Sequence, residues 1–259
     1  MGASLVLWQK HMKKSLAHSE EIIGTLFQPI LWVVLFGVGM RSLLGAVGPG
    51  DGSGYMTFIL PGIITLTVIG GAIGGGSSWL NERLIGIVKE YLVAPIPRLS
   101  ILMGNALSIT TKVLIQSVII LLVGLLMGAQ LSASPLGWLG GFLLVAAYGI
   151  GFSGIALAVA SKTDSSQGYH VMIFMLQLPL LFLSNSLYPL ATLPGWMRVG
   201  ALLNPTTYAV TGLRNITMAP TVDVGGVDTI ATWLCFVVLF GFAALGMGLA
   251  LRAFNSAIK

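Results

Sequence analysis

Between Asn81 and Ser100 the chain carries Glu82, Arg83, Lys89, Glu90 and Arg98, although it has only 13 Lys+Arg and 8 Asp+Glu in 259 residues. Taken as a helix of 100° per residue from Leu84, Ile87, Tyr91, Val88, Leu92 and Ile85 share with Leu84 one arc of about 160°. Glu82, Arg83, Gly86, Lys89 and Glu90 fill the other side, and Val93 alone is misplaced. Pro95 and Pro97 end the helix, because proline has no N–H and the residue before it avoids helical geometry. A charged face of this kind is either solvated or docks a soluble partner.

Other chemistry is missing from the sequence. No G-x-x-x-x-G-K-[ST] cradle precedes a lysine, so nucleotide binding by a phosphate loop is not expected. No His/Cys/carboxylate group has metal-ligand spacing, and no Ser–His–Asp set can be assembled. Gly149-Ile-Gly-Phe-Ser-Gly154 fits G-x-G-x-x-G, but it lies in an apolar run with no strand before it and no acidic residue about 20 positions on. Small residues in such runs let helices approach closely, and Gly70-x-x-x-Gly74 and Gly71-x-x-x-Gly75 read the same way. The single cysteine, Cys235, forms no intrachain disulfide and reads as a small core residue. No cofactor or metal is expected in this chain.

The elements that must hold these residues are membrane helices. The chain is 56% hydrophobic and 8% charged, against about one-quarter charged for a soluble domain. Long uncharged runs predict an all-α protein with six spans, at about 22–41, 56–80, 100–128, 136–160, 167–188 and 229–251. The uncharged run 113–161 has to be two spans, since one helix of that length would be about 73 Å long against a ~30 Å hydrocarbon core. With an inner N-terminus, the inner segments hold Lys10, Lys13, Lys14, Arg83, Lys89, Arg98, Lys162, Arg252 and Lys259. The outer ones hold Arg41, Arg198 and Arg214, a positive-inside bias that puts both termini in the cytoplasm. The net charge of +5 then reads as membrane anchoring; the cations form no stripe with interleaved aromatics, so no nucleic-acid partner is expected.

Residues 1–21 resemble a signal n-region only superficially, because Glu20 and Glu21 interrupt it and the following run exceeds about 15 residues. On a wheel, Leu5, Trp8, Met12 and Leu16 share one face and Lys10, His11, Lys14, His18 and Glu21 the other. This predicts an amphipathic helix in the headgroup plane with both histidines solvated. Lys112 is the one candidate for an intramembrane charge. A helix from Arg98 to Gly128 would be about 46 Å long, so Lys112 is placed at its cytosolic end. An ion-coupled carrier or channel, the alternative reading, usually keeps ionisable groups at mid-membrane.

Three stretches together resemble the type-2 ATP-binding-cassette export permeases, including the daunorubicin-resistance and nodulation-factor types. Glu82-Arg83, Gly86, Leu92-Val93, Pro95, Arg98-Leu99, Ile101-Leu102 and Gly104 are similar to a cytoplasmic motif that runs roughly E-R-E-x-G-T-L-E-x-L-L-V-T-P-x-S-R-x-x-I-L-x-G-K. Asn204-Pro205, Thr207-Tyr208-Ala209-Val210 and Leu213-Arg214 are similar to N-P-L-T-Y-A-V-D-A-L-R. Phe182-Leu183-Ser184, Pro189, Leu193-Pro194 and Trp196 resemble F-L-S-G…P…L-P-x-W. Leu84, Lys89, Asn105, Thr211 and Asn185 depart from these patterns, and this bears on which partner fits.

The resemblance implies a permease of the bacterial inner membrane that pairs with a second copy or a homologous permease. It also implies two cytosolic ATPase subunits, which bind ATP and Mg, and an amphiphilic or hydrophobic substrate such as a drug, lipid or lipid-linked glycan. Residues 82–97 would be the coupling helix, with Glu82, Arg83, Gly86, Lys89, Glu90, Pro95 and Arg98 at the ATPase. Residues 194–218 would be outer re-entrant helices holding Asn204, Pro205, Tyr208 and Arg214, with Asn204 as N-cap and Arg214 near the outer headgroups. A path lined by Gly, Ser, Thr, Met and Phe would suit amphiphiles, and Tyr148, Phe152 or Trp138 would suit stacking on sugars. Asn215-Ile-Thr217 matches a glycosylation sequon, read as chance in a bacterial permease.

Overall fold

The computed structural model describes residues 2–17, 19–47, 53–93, 96–132, 134–218 and 230–257. Helices α1 (Ala3–Ala17), α2 (Ser19–Val47), α3 (Ser53–Leu84) and α4 (Ile87–Val93) are followed by α5 (Arg98–Leu126), α6 (Pro135–Lys162) and α7 (Ser166–Phe182). A 3₁₀ turn (Leu190–Thr192), α8 (Gly195–Leu203), α9 (Pro205–Thr217) and α10 (Thr232–Ala257) complete the chain. Four stretches among the described residues, Gly54–Leu84, Arg98–Leu126, Pro135–Lys162 and Thr232–Ser256, are long and apolar enough to cross a membrane. The apolar part of α2 is Leu26–Gly39, and α7 has 17 residues.

The helix ends follow from local chemistry. Ser134 accepts from Gly137 N at 3.3 Å, with Pro135 in the first turn of α6. Ser165 accepts from Gly168 N at 3.1 Å and starts α7. Each cap satisfies an amide that a helix N-terminus leaves open. Gly86 sits at φ +88°, a left-handed conformation that side chains with a Cβ resist, and it separates α3 from α4.

Packing in the bundle depends on glycine at the closest crossings. A Cβ on Gly154 would lie 2.3 Å from the Gly246 carbonyl carbon, and one on Gly151 would lie 2.3 Å from the Phe242 ring. Gly151 and Gly154 of the G-x-G-x-x-G stretch therefore form the α6–α10 seam, while Gly149 faces Thr110 and Val68. On α3, Gly71 abuts Val113 and Gly75 abuts Ile109 of α5, whereas Gly70 and Gly74 face open space. Only half of the expected double-glycine surface is thus a packing surface within the chain. Cys235 is buried against Gly212. Large apolar side chains such as Leu122, Phe174, Met175, Phe240 and Leu245 stay exposed on the bundle exterior, the distribution that lipid tails as solvent favour.

Candidate functional site

One end of the bundle gathers α1, the C-termini of α3, α6 and α10, the N-termini of α5 and α7, and all of α4. Glu82, in the last turn of α3, is 3% exposed. Its carboxylate lies 3.4 Å from Lys14 Nζ and 3.9 Å from His11 Nδ1. Tyr91 of α4 donates to it at 3.5 Å, and Lys10 reaches the same Tyr91 hydroxyl while lying 4.8 Å above the ring. Burial holds the His11 imidazole below its ordinary value, with Glu82 opposing and Lys10, Lys112 and Lys14 reinforcing the shift. The solvated His11 expected from the wheel is thus a mostly covered member of the α1–α3 joint; His18 lies outside the described residues.

The seating of α1 differs from the wheel in the same way. Leu7 is buried, Leu5 is exposed, and Trp8 Nε1 donates to Thr111 Oγ1 at 3.0 Å. A Cβ on Gly104 would meet Leu7 Cβ at 2.7 Å, so that glycine is where α1 rests on α5. The stripe Ser4, Leu7, Trp8, His11 and Ser15 faces protein, at the i, i+3/i+4 spacing of one helix face.

Arg83 turns inward too. Its guanidinium donates to the carbonyls of Ser161 and Thr163 and, at 2.9 Å, to Asp164 Oδ1. A cation on the last carbonyls of α6 complements the helix dipole and closes groups a C-terminus leaves open. Arg98 donates to Asn255 Oδ1 at 2.9 Å, fastening α5 to α10. Glu82 and Arg83 are therefore fasteners within the bundle rather than a free charged face, because α3 continues through residue 84 and carries both toward it, whereas Arg98 bridges α5 to α10 on the exposed surface. The exposed side of the segment includes Lys89, Glu90, Arg98, Ile85 (72% exposed) and Val93 (88% exposed), with Leu84 and Leu99 beside them. The apolar arc of the wheel splits: Val88 is buried while Leu84 and Ile85 project outward. Pro95 lies outside the described residues.

At the opposite end a polar knot fixes α9. Asn204 caps it, accepting from Thr206 N at 2.9 Å, while its amide donates to Leu180 O and Leu183 O at 2.8 and 2.5 Å. One side chain thus closes the C-terminus of α7 and the N-terminus of α9, with Pro205 in the first turn of α9. Tyr208 donates to Leu202 O at 2.8 Å. Arg214 is 5% exposed, donating to Phe58 O (3.2 Å) and Asn185 O (2.7 Å), with its carbon 3.6 Å above the Phe58 ring. Its guanidinium is thus held by protein carbonyls and an aromatic face. The departure residues Asn185 and Thr211 bond each other at 2.7 Å.

Tyr148 and Phe152 are buried core aromatics packed at tilted angles against Phe242. Trp138 donates to Ser132 O at 3.0 Å. Among the described residues no three His, Cys, Asp or Glu side chains are placed to hold a metal ion. The side chains that sequence reading passed over are the glutamines within apolar spans, Gln28, Gln116 and Gln177, whose signal was polarity without charge.

Residues 3–218 match the family model described as ABC-2 type transporter. The chain is 31% identical over 197 residues to ycf38 of Cyanophora paradoxa, named as a transport permease, across 74% of this chain and 66% of that one. It spans about two thirds of the length of such relatives. It is 26% identical to the daunorubicin resistance ABC transporter permease protein DrrB1 of Streptomyces coeruleorubidus, across 76% of this chain and 68% of that one. The inner membrane transport permease YadH of Escherichia coli (strain K12) is 26% identical across 88% and 90%.

Proposed function

The chain belongs to the ABC-2 type transporter family, and from that premise we propose that it is the six-span permease subunit of an ATP-driven exporter of amphiphilic or hydrophobic substrates. Two separate ATPase subunits supply ATP and Mg chemistry, and a second permease copy completes the membrane unit. Both termini face the cytoplasm of the inner membrane, in keeping with the cations gathered at the α4 end and with the name of the Escherichia coli relative. The name of the Streptomyces relative supports the substrate class.

The observation that carries coupling is the exposed row Ile85, Lys89, Glu90 and Val93 beside the Gly86 break. Glu82 and Arg83 are spent on contacts within the bundle and Arg98 on Asn255, so this mixed apolar and charged row is what α4 offers a partner. Motion imposed on it passes through Tyr91 to Glu82 and α1, and directly into the end of α3. Helices 194–217 form the outer re-entrant unit, held by Asn204 and Arg214.

The test is co-purification with, and stimulation of, the cognate ATPase subunits. Ile85→Glu combined with Val93→Glu should cut ATPase co-purification at least tenfold while the chain still inserts and α1 amides stay protected. Unchanged association would refute α4 as the seat. A wild-type chain that binds no ABC ATPase would refute the exporter reading itself.

A further inference from the structure

A cleft of about 300 Å³ opens at mid-height between α2, α3, α5 and α7. Gly71 on its wall lies 13 residues, about 20 Å, from the α4 end of α3. Three carboxamides reach it from three different helices: Gln28 of α2, Gln116 of α5 and Gln177 of α7. Thr67 and Trp32 complete its polar and aromatic edges, and Gly70 leaves the α3 backbone open to approach. No charged side chain is among the described residues that line it.

Interhelical glue is the ordinary use of glutamine in a membrane helix. Glue does not require an open volume, however, and here Gln28 is exposed and Gln177 half-buried on the cleft wall. The volume lies at the lower end of what ligand pockets occupy, about 300–1,000 Å³. Each carboxamide presents two donors and an acceptor, which matches hydroxyls that donate and accept in turn. An anionic head would have to shed its water without a cation on the wall, at several kcal/mol.

We propose that this cleft binds the uncharged, hydroxyl-bearing head of an amphiphile, a glycosyl or polyol head rather than a phosphate. Its tail lies along the exposed apolar sides of α2 and α7 at Leu31, Leu35, Phe174 and Leu178. The Trp32 ring at the rim provides a face for the apolar side of a sugar ring. The proposal rests on the exporter reading for its biological meaning, but its binding step does not need the ATPase.

The full-length chain alone, in lipid nanodiscs, is photolabelled with a diazirine-bearing alkyl glucoside and with an alkyl phosphate of equal chain length. The glucoside should label α2, α5 or α7. Labelling should fall roughly tenfold in Gln28→Leu and in Gln177→Leu, the equivalent of one hydrogen bond to the head. Because Gln116 is buried, Gln116→Leu is read only where its thermal midpoint matches wild type. Glucoside labelling that is unchanged in both exposed-site variants, or preferential labelling by the phosphate, would overturn the proposal. ATPase co-purification by the same variants should be unaffected. Loss of labelling with retained co-purification isolates the cleft; failed co-purification with retained labelling strikes the exporter reading instead.

Discussion

Glu82 shows how one carboxylate can hold three elements. It is buried at the end of α3 and receives Lys14 and His11 from α1 and Tyr91 from α4. Lys14 is more than half exposed, so solvent weakens that pair, and Glu82→Gln should cost only about 1 kcal/mol. The readout is local: hydrogen exchange of α1 amides should quicken while α3 stays protected. His11 makes the same joint sensitive to acid. Its value within the fold is lowered below 6.5, so undocked or unfolded chain takes up the proton more readily. The stabilisation is complete above about pH 6.5 and is lost as pH falls through the lowered value. Protection factors of α1 amides, with the intrinsic exchange rate at each pH divided out, should therefore be lower at pH 5.5 than at pH 7.5, and His11→Gln should flatten that difference. At the other end, Arg214→Lys cannot keep both carbonyl contacts in the same geometry. Losing one charge-assisted bond should cost roughly 2 kcal/mol, read as a lowered thermal midpoint in detergent.

Among the elements, α6 and α10 are the tightest pair, and their seam tests glycine packing directly. Gly154→Ala would place a methyl 2.3 Å from Gly246 backbone, where nothing can rotate away, so the helices must separate at about 1–3 kcal/mol. Gly74→Ala, facing open space, should change the same thermal midpoint by the equivalent of under about 0.5 kcal/mol. Gly86 belongs to this scale as well, because its left-handed φ lets α4 leave the axis of α3. Gly86→Ala should add about 1 kcal/mol of strain and impair ATPase stimulation more than ATPase binding, measured as turnover against co-purified subunit. Such a split would mark the α3–α4 joint as the transmitting element. Helix breaks were largely readable in advance: Ser134-Pro135 and Asn204-Pro205 carry their caps and prolines in sequence. The end of α7 at Phe182 was not, since it depends on Asn204, 21 residues away from Leu183, closing its carbonyls.

For the whole molecule, composition alone dictates a helical membrane protein. So oily a chain must satisfy its backbone internally, and no alternating strand pattern offers a barrel. The sequence by itself also determined the family, through three ordered motifs. It could not determine which charges are free. A helical wheel knows only angle along one helix, and Glu82, Arg83, His11 and Arg214 are covered, wholly or in part, by partners far away in sequence: α1 against α3, the end of α6, and Phe58 with Asn185. Only the tertiary structure decided that Ile85 and Val93 project while Glu82 does not, and that three scattered glutamines line one cleft. The physical reason is common to both outcomes: a polar group withdrawn from water goes where another element supplies its partner, and which element that is depends on packing rather than on spacing along the chain.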